Sequence, residues 1–453
     1  MTDNGIDSDQ VTTMKDFMSD SRVIKSDDVF DPDGSLPKIM PEREKELNEI
    51  HLALAPVARG SSPKNRLIFG KPGQGKTAAV QLKQNQMEKQ LADRESIQTN
   101  SIYVSCKENP SSYDVAQTIL KRICDYDHKP KGYQLSELYD KIYTAMGDIG
   151  GAFIIILDEI DSIQARKSKY DEENEPNILY KFPRSNSNQL CMNDDDPYQI
   201  GLFGISNDRE FRKNLTSRCM DALGETTINF KPYNKTQLTH ILMRRATRGL
   251  KHTKLDISGS GEYDFKSDVI SEEQLRECAN MAARERGSAR QALQYLGGAA
   301  MIADNVGANQ ITTDHIRKSE QKVRQEFVQD ILTDHTRDDL LTFCGVLWCV
   351  ANDSTPTKAA AIHNNYSSVC SVLDERSKVQ RRMTERLKDL DLTGAIEMSK
   401  ETGGQRGGEY FVIELSLPFV ETLDVMQHED PFAEKFSVII EEIRDNAERN
   451  DVI

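Results

Sequence analysis

The first half of the sequence predicts an α/β fold, a parallel sheet with helices on both faces, and the second half predicts two further units. Short apolar segments alternate with segments of helical periodicity between residues 66 and 205. Strands that alternate with helices favour a parallel sheet covered on both faces. From 235 to 325 the periodicity is helical, and between 337 and 425 three helical segments precede two strands joined by a Gly-rich turn.

The elements of the α/β core are predicted from apolar runs and from helical spacing. Leu47, Ile50, Leu52 and Leu54 indicate an amphipathic helix that starts after Pro41. The strands are predicted at 66–69, 102–105, 153–157 and 200–205, and the helices at 77–92, 112–125 and 135–147.

Three polar stretches are expected to lie outside these elements. Residues 1–28 lack sustained periodicity and should be mobile. Residues 165–198 should form a surface excursion around a short helical piece, and 251–268 should form a polar loop.

In the last unit the helices are predicted near 337–351, 356–363 and 376–390.

Composition excludes several classes of protein. Hydrophobic residues make up 37% and charged residues 29% of the 453 residues, and no apolar run approaches the roughly 20 residues that a bilayer span needs. The opening stretch is polar and acidic, unlike a signal peptide, so we expect a cytoplasmic protein without a membrane partner. The eight cysteines include no CxxC pair, which argues against a zinc site and a disulfide framework.

The net charge of −15 bears on DNA as a partner, because an acidic surface repels the phosphate backbone. Cations gathered locally would still allow binding. One hypothesis is a host with a salty cytoplasm, where long-range repulsion is screened.

A phosphate-binding motif stands between the first predicted strand and the following helix. Residues 70–77 have the sequence Gly-Lys-Pro-Gly-Gln-Gly-Lys-Thr, which matches G-x-x-x-x-G-K-[ST] at every position. The backbone N–H groups of this turn should face phosphate oxygens, the lysine should reach the β- and γ-phosphates, and the threonine hydroxyl should bind Mg²⁺. The motif therefore assigns nucleotide binding to Gly73, Gln74, Gly75, Lys76 and Thr77.

Two carboxylates follow the apolar strand at 153–157. Asp158 should hold Mg²⁺ through water, and Glu159 should polarise an attacking water. Because the carboxyl ends of parallel strands meet at one edge, both should lie beside the phosphate loop. Asp161 would either support the metal shell or lie at the surface. The two motifs together predict an ATPase site.

With these motifs the sequence resembles the AAA+ superfamily of ATPases, and further residues extend the resemblance. Asn207, after the strand at 200–205, is similar to the sensor-one residue that orients the attacking water. Arg218 resembles the arginine finger that reaches a neighbouring subunit's nucleotide. Arg290 resembles the sensor-two residue of a helical lid, although Ser288 stands where that family usually has Asp.

The same resemblance implies residues for the rest of the pocket. Arg286 is an alternative cation to Arg290. Tyr233 would lie near the adenine, with hinge packing as its alternative role, and Arg245 would face the nucleotide. Arg43 belongs to a segment that resembles the one that wraps the base.

The last unit carries a basic helix and a hairpin. In the stretch 376–392, apolar residues recur at helical spacing and should face the core, namely Val379, Met383, Leu387 and Leu390. The basic face comprises Lys378, Arg381 and Arg382, with Glu385 among them. A helix that lies in a major groove needs such a face. Arg406, in the Gly-rich turn that follows, is placed to enter a minor groove.

A solvated basic helix and a hairpin without a ligand are the alternatives for these features. Residues 337–424 contain ten basic and fourteen acidic residues. Affinity for DNA must then come from a few placed contacts and from DNA deformation.

Over roughly residues 24–425 the chain resembles the ORC-type replication initiators of archaea. The resemblance implies an α/β AAA+ P-loop NTPase core with a helical lid, followed by a C-terminal winged-helix domain. The implied segments are 1–28 for a flexible N-terminus, 29–232 for the core, 233–330 for the lid, 331–425 for the winged helix and 426–453 for a helical tail.

The resemblance also implies a function, an ATP-regulated DNA-binding switch with slow, regulatory hydrolysis. ATP or ADP with Mg²⁺ is the expected ligand. Duplex DNA at a replication origin, the MCM helicase and further copies of the chain on DNA are the expected partners, and the expected location is cytoplasmic and nucleoid-associated. Two alternatives are a AAA+ remodeller or clamp-loader relative that acts on proteins, and a DNA-binding regulatory paralogue with no origin of its own.

Overall fold

The computed structural model divides the chain into two compact units, Met1–Ile316 and Arg317–Ile453. No helix among the residues that it describes is long and apolar enough to cross a membrane. Those residues are 21–31, 34, 36–92, 98–165, 178–185, 198–209, 211–224, 226–259, 261–333, 335–402, 409–428 and 433–453.

A five-stranded parallel sheet lies at the centre of the first unit. Its strands are β1 (Arg66–Phe69), β2 (Thr99–Ser105), β3 (Gly151–Asp158), β4 (Tyr198–Ser206) and β5 (Thr227–Asn229). Their order across the sheet is β2-β3-β4-β1-β5, which confirms the four predicted strands and adds β5. Since β4 lies between β1 and β3, the loops that follow these three strands are neighbours at one edge.

Helices cover both faces of this sheet. Alternate residues of β3 enter different apolar clusters, because side chains alternate along a strand. Ile155 packs with residues of α3 and α4, whereas Ile154 packs with residues of α1 and α2. The helices described are α1 (Glu44–Leu54), α2 (Lys76–Leu91), α3 (Ser112–Ile123), α4 (Leu135–Ile149), α5 (Asp161–Ala165), α6 (Ile178–Ser185), α7 (Phe211–Asn214) and α8 (Ser217–Leu223).

Two expectations for this part need correction. Leu52 is 55% exposed, so it does not belong to the buried face of α1. The short helical piece expected within 165–198 is α6, and its buried Phe182 packs with Tyr139 and Tyr143 of α4. This helix therefore belongs to the core, and the stretches on either side of it lie outside the described residues.

The rest of the first unit is mostly helical. Asn234 and Ser271 begin two of its helices as capping boxes, each with a glutamine three residues later. The elements are α9 (Lys235–Gly249), β6 (Thr253–Ile257), β7 (Tyr263–Ser267), α10 (Glu272–Glu285) and α11 (Ala289–Asn305). The next helix, α12 (Thr313–Leu332), starts in this unit and ends in the second.

β6 and β7 form an antiparallel hairpin, so the polar loop predicted at 251–268 is wrong. Leu255 pairs with Phe265 and Ile257 with Tyr263, while the alternate positions are charged and exposed. This alternation is typical of strands. Each strand has only five residues, and the Lys and Asp residues between the apolar ones are depleted in strands, which hides the pattern.

The first described residues pack against the helices α9 and α11. The Asp304 carboxylate on α11 accepts hydrogen bonds from the backbone N–H groups of Arg22 (2.8 Å) and Val23 (2.9 Å). Val23 is fully buried, and the ring of Phe30 lies against glycines of both helices. The expectation of a mobile segment over 1–28 is therefore wrong from residue 21 onward.

The second unit has helices around a three-stranded antiparallel sheet of order β8-β10-β9. The order helix, strand, helix, helix and two strands is that of a winged helix, which confirms the predicted fold. After α12 its elements are α13 (Arg337–Ala351), β8 (Thr357–Lys358), α14 (Ala359–Val372), α15 (Gln380–Thr393), β9 (Ile396–Thr402), β10 (Glu409–Leu415), α16 (Phe419–His428) and α17 (Ala433–Arg449).

Two details of this unit differ from the sequence-based expectation. The helix expected at 356–363 is a short strand followed by α14, since Thr357 and Lys358 pair with Ile413 and Val412 of β10. α15 starts at Gln380, so Val379 is its N-cap and is 70% exposed instead of facing the core.

Candidate nucleotide site and nucleic-acid interface

A cavity of about 810 Å³ opens where the phosphate loop, β3 and β4 end. α9, α11 and the segment before α1 also line it. The structure thus brings together most of the residues that the sequence assigns to the nucleotide. They are Gly73, Gly75, Lys76, Thr77, Asp158, Glu159, Asn207, Tyr233, Arg245 and Arg290.

The phosphate loop connects β1 to α2. Gly73 and Gly75 have φ angles of 75° and 82°, in the left-handed region that favours glycine. Gly75 caps α2, so the free N–H groups of the first helical turn face the loop. The Gln74 side chain is fully buried and does not line the cavity. The structure therefore does not place Gln74 at the cavity.

Lys76 is held in the loop by three acceptors. Its Nζ donates to the carbonyl oxygens of Gly70 (2.7 Å) and Lys71 (2.9 Å) and to Oδ1 of Asn207 (2.8 Å). Burial lowers the pKa of Lys76 to about 8, although the charge of Asp158 opposes the shift. An anion in the cavity would favour the charged form, as expected for a lysine that binds phosphate.

Thr77 and Asp158 fit the metal of a Mg-nucleotide. The Thr77 hydroxyl donates to Oδ2 of Asp158 over 2.6 Å, and the Tyr103 hydroxyl donates to the same oxygen over 3.3 Å. Mg²⁺ takes oxygen ligands of this kind and keeps several waters. Burial and the charge of Asp158 raise the pKa of Tyr103, so its hydroxyl stays a donor. Tyr103 was not predicted from the sequence. The only feature that points to its role is its position on β2, the strand that pairs with β3.

Glu159 and Asn207 face the cavity from neighbouring strand ends. Glu159 has a φ of 54°, and its backbone N–H donates to Oδ1 of Asp158 over 2.9 Å. Burial, followed by the charge of Asp158, raises the pKa of Glu159. The backbone N–H of Asn207 donates to Asp161 over 3.2 Å. Asp161 therefore supports the loop that carries Asn207.

α11 begins directly at the phosphate loop. The carbonyl of Gly73 accepts from the backbone N–H groups of Ala289 (3.1 Å) and Arg290 (3.4 Å). The Ser288 hydroxyl caps α11 by accepting from Gln291 over 3.2 Å, as the carboxylate usual at that position would. Arg290 is exposed and lines the cavity, which Arg286 does not.

Tyr233 and Arg245 also line the cavity. The Tyr233 ring lies 3.7 Å below the guanidinium of Arg43, which is itself buried. Burial raises the pKa of Tyr233 to about 12. Burial, and then the charge of Arg248, lowers the pKa of Arg245, whose guanidinium donates to the carbonyl of Val29 over 3.2 Å.

The resemblance implies that the segment around Arg43 wraps the base, and the structure extends this segment's share in the cavity to the residues before it. Ile39, Met40 and Pro41 line the cavity together with Arg244 and Arg248 of α9. Residues 36–41 form no helix or strand, so no periodicity marks them, and Met40 lies against Gly75 of the phosphate loop.

Arg218 lies apart from the residues that line the cavity. It is exposed in the first turn of α8. A side chain at this position is accessible to a second molecule.

The predicted DNA-binding face of α15 is exposed. Met383, Leu387 and Leu390 are buried on the opposite side. Lys378 lies 3.8 Å from Asp338, and Arg382 lies 3.5 Å from Glu385. The remaining cation of the predicted face is Arg381, which is exposed and has no ion-pair partner among the residues that the structure describes. Arg406 lies outside those residues.

Fold and site define the class of protein to which the chain belongs. Three family models match parts of it: the bacterial TniB protein at 41–179, the Cdc6 AAA+ ATPase-type lid domain at 261–321, and the C-terminal winged helix domain of CDC6 at 332–425. The chain therefore has the AAA+ P-loop fold with a lid and a winged-helix domain of the Cdc6 type.

Comparison with curated proteins defines the family. The chain is 31% identical over 427 residues to ORC1-type DNA replication protein 1 of Haloarcula marismortui, covering 94% of this chain and 97% of that protein. It is 31% identical over 395 residues to ORC1-type DNA replication protein 10 of Halobacterium salinarum, covering 86% and 88%. The chain belongs to the family of ORC1-type DNA replication proteins, as the sequence resemblance predicts.

Solved structures agree with this family. The Aeropyrum pernix ORC1 protein in complex with DNA is similar with a TM-score of 0.71 and 26% identity, over 91% of this chain and 99% of that chain. The Aeropyrum pernix ORC2 protein shares the fold with a TM-score of 0.55 and 16% identity, over 94% of this chain and 100% of that chain.

Proposed function

We propose that this chain is an ATP-dependent initiator that binds duplex DNA at a replication origin and supports helicase loading. The observation that carries the proposal is a nucleotide cavity and an exposed basic helix in one chain of the ORC1-type family. The Aeropyrum pernix ORC1 protein, which is similar over most of its length, is in complex with DNA.

ATP with Mg²⁺ would supply the γ-phosphate whose transfer to water releases energy. Lys76 would donate to phosphate oxygens, and Thr77 and Asp158 would hold the metal. Glu159 would polarise a water that Asn207 orients. The contacts among these side chains support their roles, since Lys76 already bonds to Asn207 and Thr77 to Asp158.

Slow hydrolysis would serve as a signal. The backbone N–H groups that begin α11 bond to the carbonyl of Gly73. A change in the conformation of the phosphate loop would therefore move the helix that carries Arg290. Arg290 would report the γ-phosphate to the lid. Arg218, exposed on α8, would act on the nucleotide of a second copy on DNA.

Duplex-DNA binding, followed by fluorescence anisotropy across a salt series with ATP and Mg²⁺, tests the proposal. The double variant Arg381→Ala/Arg382→Ala, and separately Arg406→Ala, should bind at least about tenfold more weakly. For each cation that no longer neutralises a phosphate, the slope of log K against log salt should become shallower by about 0.9. ATP affinity should not change.

Arg449→Ala is the matched control, since Arg449 is exposed on α17 and should not affect DNA affinity. If the wild-type protein does not bind duplex DNA at any salt concentration, the initiator proposal is wrong. A AAA+ remodeller that acts on a protein would then be the better account.

A further inference from the structure

Glu385 lies in the middle of the exposed face of α15. Met383, Leu387 and Leu390 define the buried side of the helix. At 3.6 residues per turn the opposite side carries Arg381 and, one turn later, Glu385. Half of the Glu385 side chain, 51%, is exposed. The carboxylate is therefore central on the surface that would meet DNA.

Arg382 lies beside this carboxylate. Its NH1 is 3.5 Å from Oε2 of Glu385, and its side chain is 73% exposed. The two groups present an acceptor and a fork of donors side by side to the solvent. Their pairing is weak in water, so either group can exchange its partner for a base edge.

A carboxylate in this position has few partners on duplex DNA. Phosphates repel it, and in the major groove guanine presents acceptors while thymine presents an acceptor and a methyl group. Donors come from the amino groups of cytosine and adenine, and the adenine amino group stands next to the N7 acceptor. Cytosine N4 is the donor that a carboxylate meets without an adjacent acceptor on the same base.

We infer that Glu385 is a specificity-determining residue that accepts a hydrogen bond from the N4 amino group of a cytosine in the major groove. Arg382 donates to O6 and N7 of the paired guanine, so the two side chains select a C·G base pair. The inference rests on the proposed function, because it needs α15 to lie in the groove.

The charges around α15 agree with selection by a base contact. Lys378 and Arg386 lie 3.8 Å and 3.7 Å from Asp338 on α13, so part of the positive charge is already offset. A face of this kind attracts phosphates weakly. Discrimination between DNA sequences then depends on contacts to base edges.

Selection from a random duplex library tests the inference. The wild-type protein, Glu385→Gln and the control Glu442→Gln are each selected with ATP and Mg²⁺, and affinities are then measured on the selected duplexes. Glu442 is exposed on α17, so its variant has the same charge change on another element. The melting temperature of each variant shows that it is folded.

The wild type and Glu442→Gln should enrich a C·G pair at one position, with about tenfold weaker binding when it becomes T·A. Glu385→Gln should lose that preference there and favour adenine, because a glutamine amide bonds to adenine N6 and N7. It should also bind unrelated DNA more tightly.

Two outcomes overturn the inference, and they are distinguishable. If Glu385→Gln keeps the wild-type preference at every position, Glu385 does not contact a base, while the proposed DNA binding stands. If the wild-type protein enriches no duplex and binds none, the proposed function fails as well.

Discussion

Buried polar groups hold the side chains of the proposed nucleotide site in place. Lys76 is 6% exposed, and its ammonium bonds to two carbonyls and one amide. Its position is fixed before any ligand arrives, because each of these bonds restrains the side chain. Asn207 is one of the three partners, so it contributes both to the position of the lysine and to the edge of the cavity.

Replacing Lys76 should weaken nucleotide binding. Hydrogen bonds to a charged group contribute about 1.5–3 kcal/mol, so Lys76→Ala should lower ATP affinity about 10- to 100-fold. Titration with a fluorescent ATP analogue measures the change. Lys89→Ala, which removes an exposed charge from the same helix, is the control. Equal affinities for wild type and Lys76→Ala would contradict the assignment.

Replacing Asn207 should slow ATP hydrolysis and leave ATP binding almost unchanged. Asn207→Ala should keep ATP affinity within a few-fold and slow phosphate release about 100-fold or more, since an orienting group acts mainly in the transition state. Single-turnover phosphate release measures this rate. Asn229→Ala, at an exposed position at the end of β5, should hydrolyse at the wild-type rate. A rate of phosphate release for Asn207→Ala equal to that of the control would show that Asn207 takes no part in hydrolysis.

At the scale of elements, the cavity is closed by parts of the chain that are distant in sequence. The start of α11 bonds to the phosphate loop through Gly73, and residues 39–41 also line the cavity, with Met40 against Gly75. The N-terminal segment is attached through Asp304 near the other end of α11. α11 is thus bonded to the phosphate loop at its start and to residues 22–23 near its end.

Asp304→Asn should loosen the N-terminal segment and speed nucleotide release several-fold. Although burial opposes the shift, hydrogen bonds from Ser21, Val23 and Arg22 hold the pKa of Asp304 below its usual value. This carboxylate therefore stabilises the fold above about pH 4, the usual Asp pKa, and the contribution is lost as the pH falls through the lower folded-state pKa.

Stopped-flow displacement of a fluorescent nucleotide measures the release rate of Asp304→Asn. Asp221→Asn, which changes an exposed residue of α8, should release nucleotide at the wild-type rate. Identical rates for both variants would show that the segment does not hold the nucleotide.

The elements also show how far the sequence could be interpreted. Parallel strands such as β3 are uninterrupted apolar runs, because they are buried on both faces, and the phosphate motif is local in sequence. The hairpin β6–β7 was missed because its apolar positions alternate with Lys and Asp. Tyr103 and the residues just before Pro41 carry no local pattern, since their roles depend on contacts with Asp158 of β3 and with the phosphate loop.

At the scale of the whole molecule, the main feature is the excess of acidic over basic residues. The chain has 73 acidic and 58 basic residues, a net charge of −15. Self-repulsion of this size destabilises the compact state, and salt screens it. The winged helix shares the acidic excess, so its cations act as individual contacts and not through a general positive field.

Thermal stability should therefore rise with salt. The melting temperature should increase between 0.1 and about 1 M KCl, because the Debye length falls from about 10 Å to about 3 Å over that range. Differential scanning calorimetry measures it, and sucrose at matched osmolality separates screening from solvent exclusion. A protein that is most stable in dilute buffer would contradict this account and the salty-cytoplasm hypothesis.

Control of DNA binding by the nucleotide is the central claim, and one measurement tests it most directly. Affinity for duplex DNA is measured by anisotropy at one salt concentration with ATP and Mg²⁺, with ADP and Mg²⁺, and without nucleotide, for wild type and for Lys76→Ala. We predict that wild type binds DNA about tenfold more tightly with ATP than without nucleotide, and that Lys76→Ala does not respond. Equal wild-type affinities in all three states would show that the cavity and the winged helix work independently.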